Sequence, residues 1–169
     1  MGKIIEARFS EILPGEDDYN ATCLRVIIGR WKQRAYFLPI PVRELFPNTY
    51  VNLDGRNRLV HRKMLGFESA TLFIAEHLKD YMLLEDFPKA QQEDINIQNR
   101  NIEKRWDLAN EFALKSIKSG RVRDYNDHFN LLVSSHPYLR DTSSFESYDG
   151  QYSLPSVNQE TLIIPCKID

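Results

Sequence analysis

The sequence predicts an α+β domain in which an N-terminal antiparallel sheet of hairpins is followed by three helices packed on one face and a loop-rich C-terminal tail. Two patterns carry that expectation. Before residue 63, β-branched and aromatic runs alternate with turn residues, and after residue 67 apolar residues recur at three- and four-residue steps. Size supplies the third observation. The chain has 169 residues, 42% of them hydrophobic, with a net charge of −2, which suits one domain burying roughly two-thirds of its unfolded surface. Residues 1–169 are therefore read as a single domain. It comprises a basic antiparallel sheet region at 1–63, a helical region at 64–138 and an irregular tail at 139–169 with a last strand in it.

Taken in order, Lys3 to Ile12 reads as a first strand, stopped by Pro14-Gly15 and the acidic Glu16-Asp17-Asp18. Ala21–Ile28 and Gln33–Ile40 are rich in β-formers and flank Gly29-Arg30-Trp31-Lys32, the pattern of a hairpin with glycine in its loop. Pro39, Pro41 and Pro47 argue against a central strand beyond Ile40, since proline cannot donate to a ladder. Tyr50–Leu53, a tight Asp54-Gly55 turn and Arg58–His61 give a second hairpin.

The period then changes. Phe67, Ala70, Ile74, Leu78 and Tyr81 or Met82 predict a first, core-facing helix. Residues 86–99 are polar and interrupted by proline, hence a linker. Ile102, Trp106, Ala109, Ala113 and Ile117 predict a second helix, capped by Asn99 or Asn101 and closed by Gly120. A third follows on Tyr125, Phe129, Leu132 and Val133 and stops before His136-Pro137. The segment 140–159, rich in Ser, Asp, Tyr and Asn, reads as loop, and Thr161–Ile164 as the last strand.

Several function classes fall away on composition. No apolar run approaches the ~20 residues that span a bilayer, so no membrane partner is expected. The N-terminus turns acidic where a signal peptide needs an apolar stretch. Two cysteines, Cys23 and Cys166, make neither a disulfide framework nor a four-cysteine zinc site, so a cytoplasmic, reducing location is expected. GxGxxG, GxxxxGK[ST], CxxC, HExxH and GxSxG are all absent, and neither a cofactor nor a metal is implied.

Charge is more informative. Residues 1–18 carry −3, 19–63 carry +7, 64–99 carry −5, 100–140 carry +3 and 141–169 carry −4. Such blocks neutralise one another in a fold or leave a basic face for an acidic partner, most often nucleic acid. On the expected hairpins Arg25, Arg30, Trp31, Lys32, Arg34, Arg58 and Arg62 form that face, arginines for phosphates and a ring for base stacking. The turn before the third helix adds Arg121 and Arg123, where cations sit against the helix dipole and invite an anion.

Arg123-Asp124-Tyr125-Asn126-Asp127-His128 resembles the Rx4H element of the HEPN ribonucleases. The resemblance implies that Arg123 and His128 are a candidate catalytic pair acting on a scissile phosphate without metal. Asp54-Gly55-Arg56 through Val60-His61-Arg62 resembles a stretch found beside some HNH homing endonucleases, whose other residues are missing here.

The expected function is a non-catalytic nucleic-acid-binding accessory protein, with single-stranded RNA or DNA favoured as partner. One alternative is a protein–protein adaptor or inhibitor acting through the acidic segment 76–94 and the acidic tail. The other is the metal-independent ribonuclease.

Overall fold

The computed structural model describes residues 2–17, 19–32, 38–83, 85 and 89–140, with backbone only at 30–32 and 90. The chain is α+β, as expected. Five strands lie within residues 3–75: β1 (Lys3–Arg8), β2 (Ile12–Leu13), β3 (Ile40–Phe46), β4 (Thr49–Asn52) and β5 (Ser69–Ala75). Four helices accompany them: α1 (Ala21–Lys32), α2 (Arg56–Met64), α3 (Gln92–Ser119) and α4 (Tyr125–Ser135). The strands form one mixed sheet in the order β1-β5-β3-β4-β2. Pairs β1/β5 and β3/β4 are antiparallel, while β3/β5 and β2/β4 are parallel.

The sheet is covered on both faces. Ile40, Val42, Tyr50, Ala70, Leu72 and Ile74 point to one side and meet Leu59 of α2 and Tyr125 of α4. Val51, Phe73 and Ala75 point to the other and meet Ile95, Ile102, Ala109 and Ala113 of α3. Outside α2 and α4, helix α1 adds a further layer through Leu24 and Ile28, packed with Val60, Leu132, Val133 and Leu139.

Several elements differ from expectation, for definite reasons. Ala21–Ile28 is not a strand but most of α1. Leu24 and Ile28, four residues apart, share the buried side, and packing outweighs the β-propensity of Val26, Ile27 and Ile28. Asn20 caps it by accepting from the Cys23 N–H at 2.9 Å. Gly29–Lys32 is therefore the last turn of α1 and not a hairpin loop. Gln33–Phe37 lies outside the described residues.

Beyond Ile40 the chain forms β3, the middle strand, despite its prolines. Pro41 is compatible because β3 pairs with β4 only from Val42 onward, so the strand's second residue needs no N–H on that side. Arg58–His61 belongs to α2. Gly55, at φ 77°, sits at its N-cap and starts a helix where a second strand was expected. Leu59 then faces the sheet and Val60 faces α1, a division of labour that only a helix provides.

The expected helix from Phe67 is β5. Its run is buried on both faces, and such a strand lacks the polar side that would reveal its period. The linker at 86–99 is shorter than expected because α3 begins at Gln92, its early polar residues Gln98 and Asn99 being buried and hydrogen-bonded. Neither Asn99 nor Asn101 caps α3, since both lie inside it, but the C-terminal end of α3 and the bounds of α4 match the sequence. Gly120 closes α3 at φ 71°, and the Asp124 carboxylate accepts from the Asp127 N–H at 3.0 Å to open α4. Residues 141–169, including Thr161–Ile164, lie outside the described residues.

The loop after β2 is wedged between layers. A Cβ on Gly15 would stand 1.9 Å from the Asn52 carbonyl oxygen and 2.9 Å from the Ala109 Cβ. Neither is the end of a flexible side chain. Gly15→Ala is expected to destabilise the fold by about 1–3 kcal/mol, lowering Tm by about 2–4 °C per kcal/mol at this size. An unchanged melting curve would show that the loop yields freely.

Candidate nucleic-acid interface

The basic residues expected to share a hairpin face are dispersed, and most of those whose side chains are described are built into the fold. Arg58 stands on α2, where its guanidinium donates to the Leu38 carbonyl at 2.7 Å and to the Gln98 side chain. It ties α2 to α3 and to the start of β3. Arg62, in the last turn of α2, lays its guanidinium 4.8 Å from the centre of the Phe67 ring. Arg25 is half-buried on α1. Arg30, Trp31 and Lys32 end α1 with side chains outside the described structure, and Arg34 lies outside it altogether. The structure thus corrects the hairpin surface itself, because α1 and α2 project side chains with a period of 3.6 and not 2.

Other described cations of the +7 block, and Arg105 outside it, are likewise engaged. Arg56 meets Glu16 at 3.0 Å, and Arg105 of α3 donates to the Gly15 carbonyl at 2.7 Å. Arg43 lies 4.2 Å from the Trp106 ring centre and donates to the Trp106 carbonyl at 3.0 Å. Lys63 donates to the Asn126 side chain with its ammonium 5.0 Å from the Phe9 ring centre, and desolvation there lowers its pKa.

The turn between α3 and α4 separates its two arginines. Arg123 is 87% exposed and paired with Asp127, Nε to Oδ2 at 3.0 Å, while its N–H donates to the same carboxylate at 2.9 Å. That contact holds the Asp127 carboxyl below the usual range. His128 is by contrast buried, its ring edge-on to Tyr125 at 5.1 Å. The helix does begin between Arg123 and His128, yet the guanidinium is held on Asp127 in solvent, so the two do not meet as a catalytic pair.

Arg121 takes the other direction. It lines a cleft of about 260 Å³ together with Asp17, His128, Leu131, Leu132, Ser134, Ser135 and His136. Its Nη2 stands 2.6 Å from the Asp17 carboxylate, and both side chains are about half exposed. His136 follows α4 and is edge-on to Tyr19 at 5.2 Å and to Tyr138 at 5.7 Å. The Tyr138 hydroxyl approaches His136 Nδ1 at 3.5 Å and also hydrogen-bonds the Tyr19 hydroxyl. A guanidinium, the His136 imidazole and serine hydroxyls are groups suited to phosphate oxygens, the buried His128 ring forms part of the cleft wall, and an exposed tyrosine lies one ring away.

No protein-family model matches this chain, and no curated protein matches it. The site therefore rests on its own chemistry. Among the described residues no cluster of three or more His, Cys, Asp or Glu is placed to hold a metal, and no helix is long and apolar enough to cross a membrane.

Sequence reasoning found Arg121 and His128 but missed His136 and Asp17. The steps His128, Leu132, His136 are each four residues, a spacing legible in the sequence that runs along α4 to the residue closing it. Asp17 left no such signal, because it reaches Arg121 only through the fold.

Two outcomes test this division. Arg58→Ala should lower stability by roughly 1–3 kcal/mol through the unpaired Leu38 and Gln98 acceptors and leave nucleic-acid affinity unchanged. Weaker binding at an unaltered Tm would restore Arg58 to the interface. The second outcome concerns acid. Burial pushes the pKa of His61 down from 6.5 to about 4, so below pH 6.5 the unfolded chain takes up a proton that the folded chain refuses. Stability should fall as pH drops from about 6.5 to about 4, by up to roughly 3 kcal/mol at 1.36 kcal/mol per unit. Denaturant midpoints across that range check it, and His61→Gln should flatten the slope.

Proposed function

We propose that the chain is a nucleic-acid-binding accessory protein without chemistry of its own, and that its cleft holds a phosphate of a single strand. The observation that supports this most is the meeting of Arg121 from the α3–α4 turn with His128 of α4 and His136 just beyond it in one open cleft. Arginine offers a planar fork of donors for phosphate oxygens. Tyr138, 41% exposed and next to His136, offers a face for a neighbouring base. Single strands leave their bases free to stack, which is why they suit this pairing of cation and ring better than a duplex does. Arg30, Trp31, Lys32 and Arg34 lie on or beyond the end of α1 and stay candidates for the rest of the path.

A protein-binding role has one specific observation in its favour. Leu78, Tyr81 and Leu83 are exposed on the acidic segment after β5. That segment is anchored because the Asn99 side chain accepts from the Met82 N–H at 2.8 Å and donates to its carbonyl at 3.1 Å. Apolar side chains on a braced loop suit a protein surface. They offer nothing to a phosphate backbone.

The experiment is fluorescence anisotropy of a labelled single-stranded oligonucleotide across a salt series. Arg121→Glu should weaken binding and reduce the log–log salt slope by about 0.7, the share of one neutralised phosphate on a single strand. Arg123→Glu, at a residue held on Asp127, should change affinity far less. Equal affinity for the parent and Arg121→Glu would remove the cleft from the interface, and purified protein free of nucleic acid by its absorbance ratio would favour the protein-binding role.

A further inference from the structure

The cleft contains an anion of its own. The Asp17 carboxylate contacts Arg121 at 2.6 Å, at the group where a phosphate would bind, and the pair stands open to solvent at 57% and 48% exposure. Asp17 is presented there by a braced loop. Its neighbour Glu16 is held by Arg56 at 3.0 Å and approached by Arg105 at 3.9 Å. Gly15, one step earlier, is wedged against Asn52 and Ala109. The backbone leading to Asp17 is thus fixed from both layers of the fold, while Arg121 follows the left-handed Gly120 that closes α3.

We propose that Asp17 is an internal stand-in for the ligand's phosphate, so that binding exchanges one anion for another on Arg121. The proposal rests on the phosphate reading of the cleft and adds its regulation. With Asp17 in place the Arg121 pair is neutral, and a phosphodiester, with a single negative charge, must displace the carboxylate to gain the guanidinium. An exposed ion pair is weak enough to be displaced, and as a competitor for Arg121 it lowers the affinity of an incoming anion by a modest factor. The exchange also keeps Arg121 extended into the cleft in the absence of ligand, which lowers the ordering cost of binding.

A double-mutant cycle tests the exchange, with a fluorescein-labelled single-stranded oligoribonucleotide as probe and thermal melts confirming that each variant is folded. Asp17→Asn should bind about 1.4- to 5-fold more tightly than the parent, the span that an exposed ion pair's roughly 0.2–1 kcal/mol converts to. Asp17→Ser should do the same if the asparagine variant folds poorly. Arg121→Ala should bind more weakly, and adding Asp17→Asn to it should then change nothing. A gain that persists without Arg121 would mean general electrostatics and would overturn the exchange. So would an Asp17→Asn protein that binds no more tightly than the parent while Arg121→Ala still binds weakly, and in that case the phosphate reading of the cleft would stand. Parental affinity in Arg121→Ala would overturn both.

Discussion

Glu16 joins both sides of the sheet. Its carboxylate is met by Arg56 from α2, which lies on one face, and by Arg105 from α3, which lies on the other. All three side chains are mostly withdrawn from water, so the contact is screened less than a surface pair would be. Arg105 fastens the same loop again at the Gly15 carbonyl, and Tyr125 of α4 donates to the Arg56 carbonyl at 3.2 Å. One short acidic loop thereby holds α2, α3 and α4 at a common point. The cleft lies beside that point, because the next residue is Asp17 and the helix tied in last is α4.

This arrangement explains why the described cations of a block of nine cations and two acids do not gather into one basic face. A helix turns its residues through all directions, so α2 sends Arg56 to Glu16, Arg58 to Gln98 and Arg62 to Phe67. The Arg56 and Arg58 contacts satisfy donors that would otherwise be desolvated without partners. Arg56 is paired with a carboxylate, while Arg58 and Arg62 keep their charge but hold their guanidinium groups on neutral partners of the fold. Net charge along a chain predicts a surface only where the local structure keeps neighbouring residues on one side. The α3–α4 turn meets that condition in part, since it is short, exposed and flanked by two helices whose ends are firmly capped.

The distinction between Arg121 and Arg123 shows how much of the site was legible. The Arg123–Asp127 pair is a contact across one helical turn and follows from spacing alone. His128 is buried beside Tyr125 and Leu132, two residues of the apolar repeat that predicts this helix. That Arg123 and His128 face different surroundings depends on the buried Tyr125 ring, which draws His128 inward while Arg123 stays in solvent. The pairing of Arg121 with Asp17 was not legible, because it joins segments from opposite ends of the described chain.

The sequence by itself determined the α+β class, strand β4, the cap at Gly120 and the third helix. It found the start of β1 but not the 3-10 turn at Phe9–Glu11 that parts β1 from β2. What it determined is written within a few residues, in a left-handed glycine or a repeat of side chains. Tertiary structure alone decided that Ala21–Lys32 is helical, that Ser69–Ala75 is a strand, and that Pro41 belongs to the middle of the sheet. The reason is burial. A segment enclosed on both sides, as β5 is, has no polar face to mark its period, and α1 acquires its helical form from the surface it packs against. The cleft belongs with these, since its carboxylate, guanidinium and imidazoles meet only after both faces of the sheet are covered.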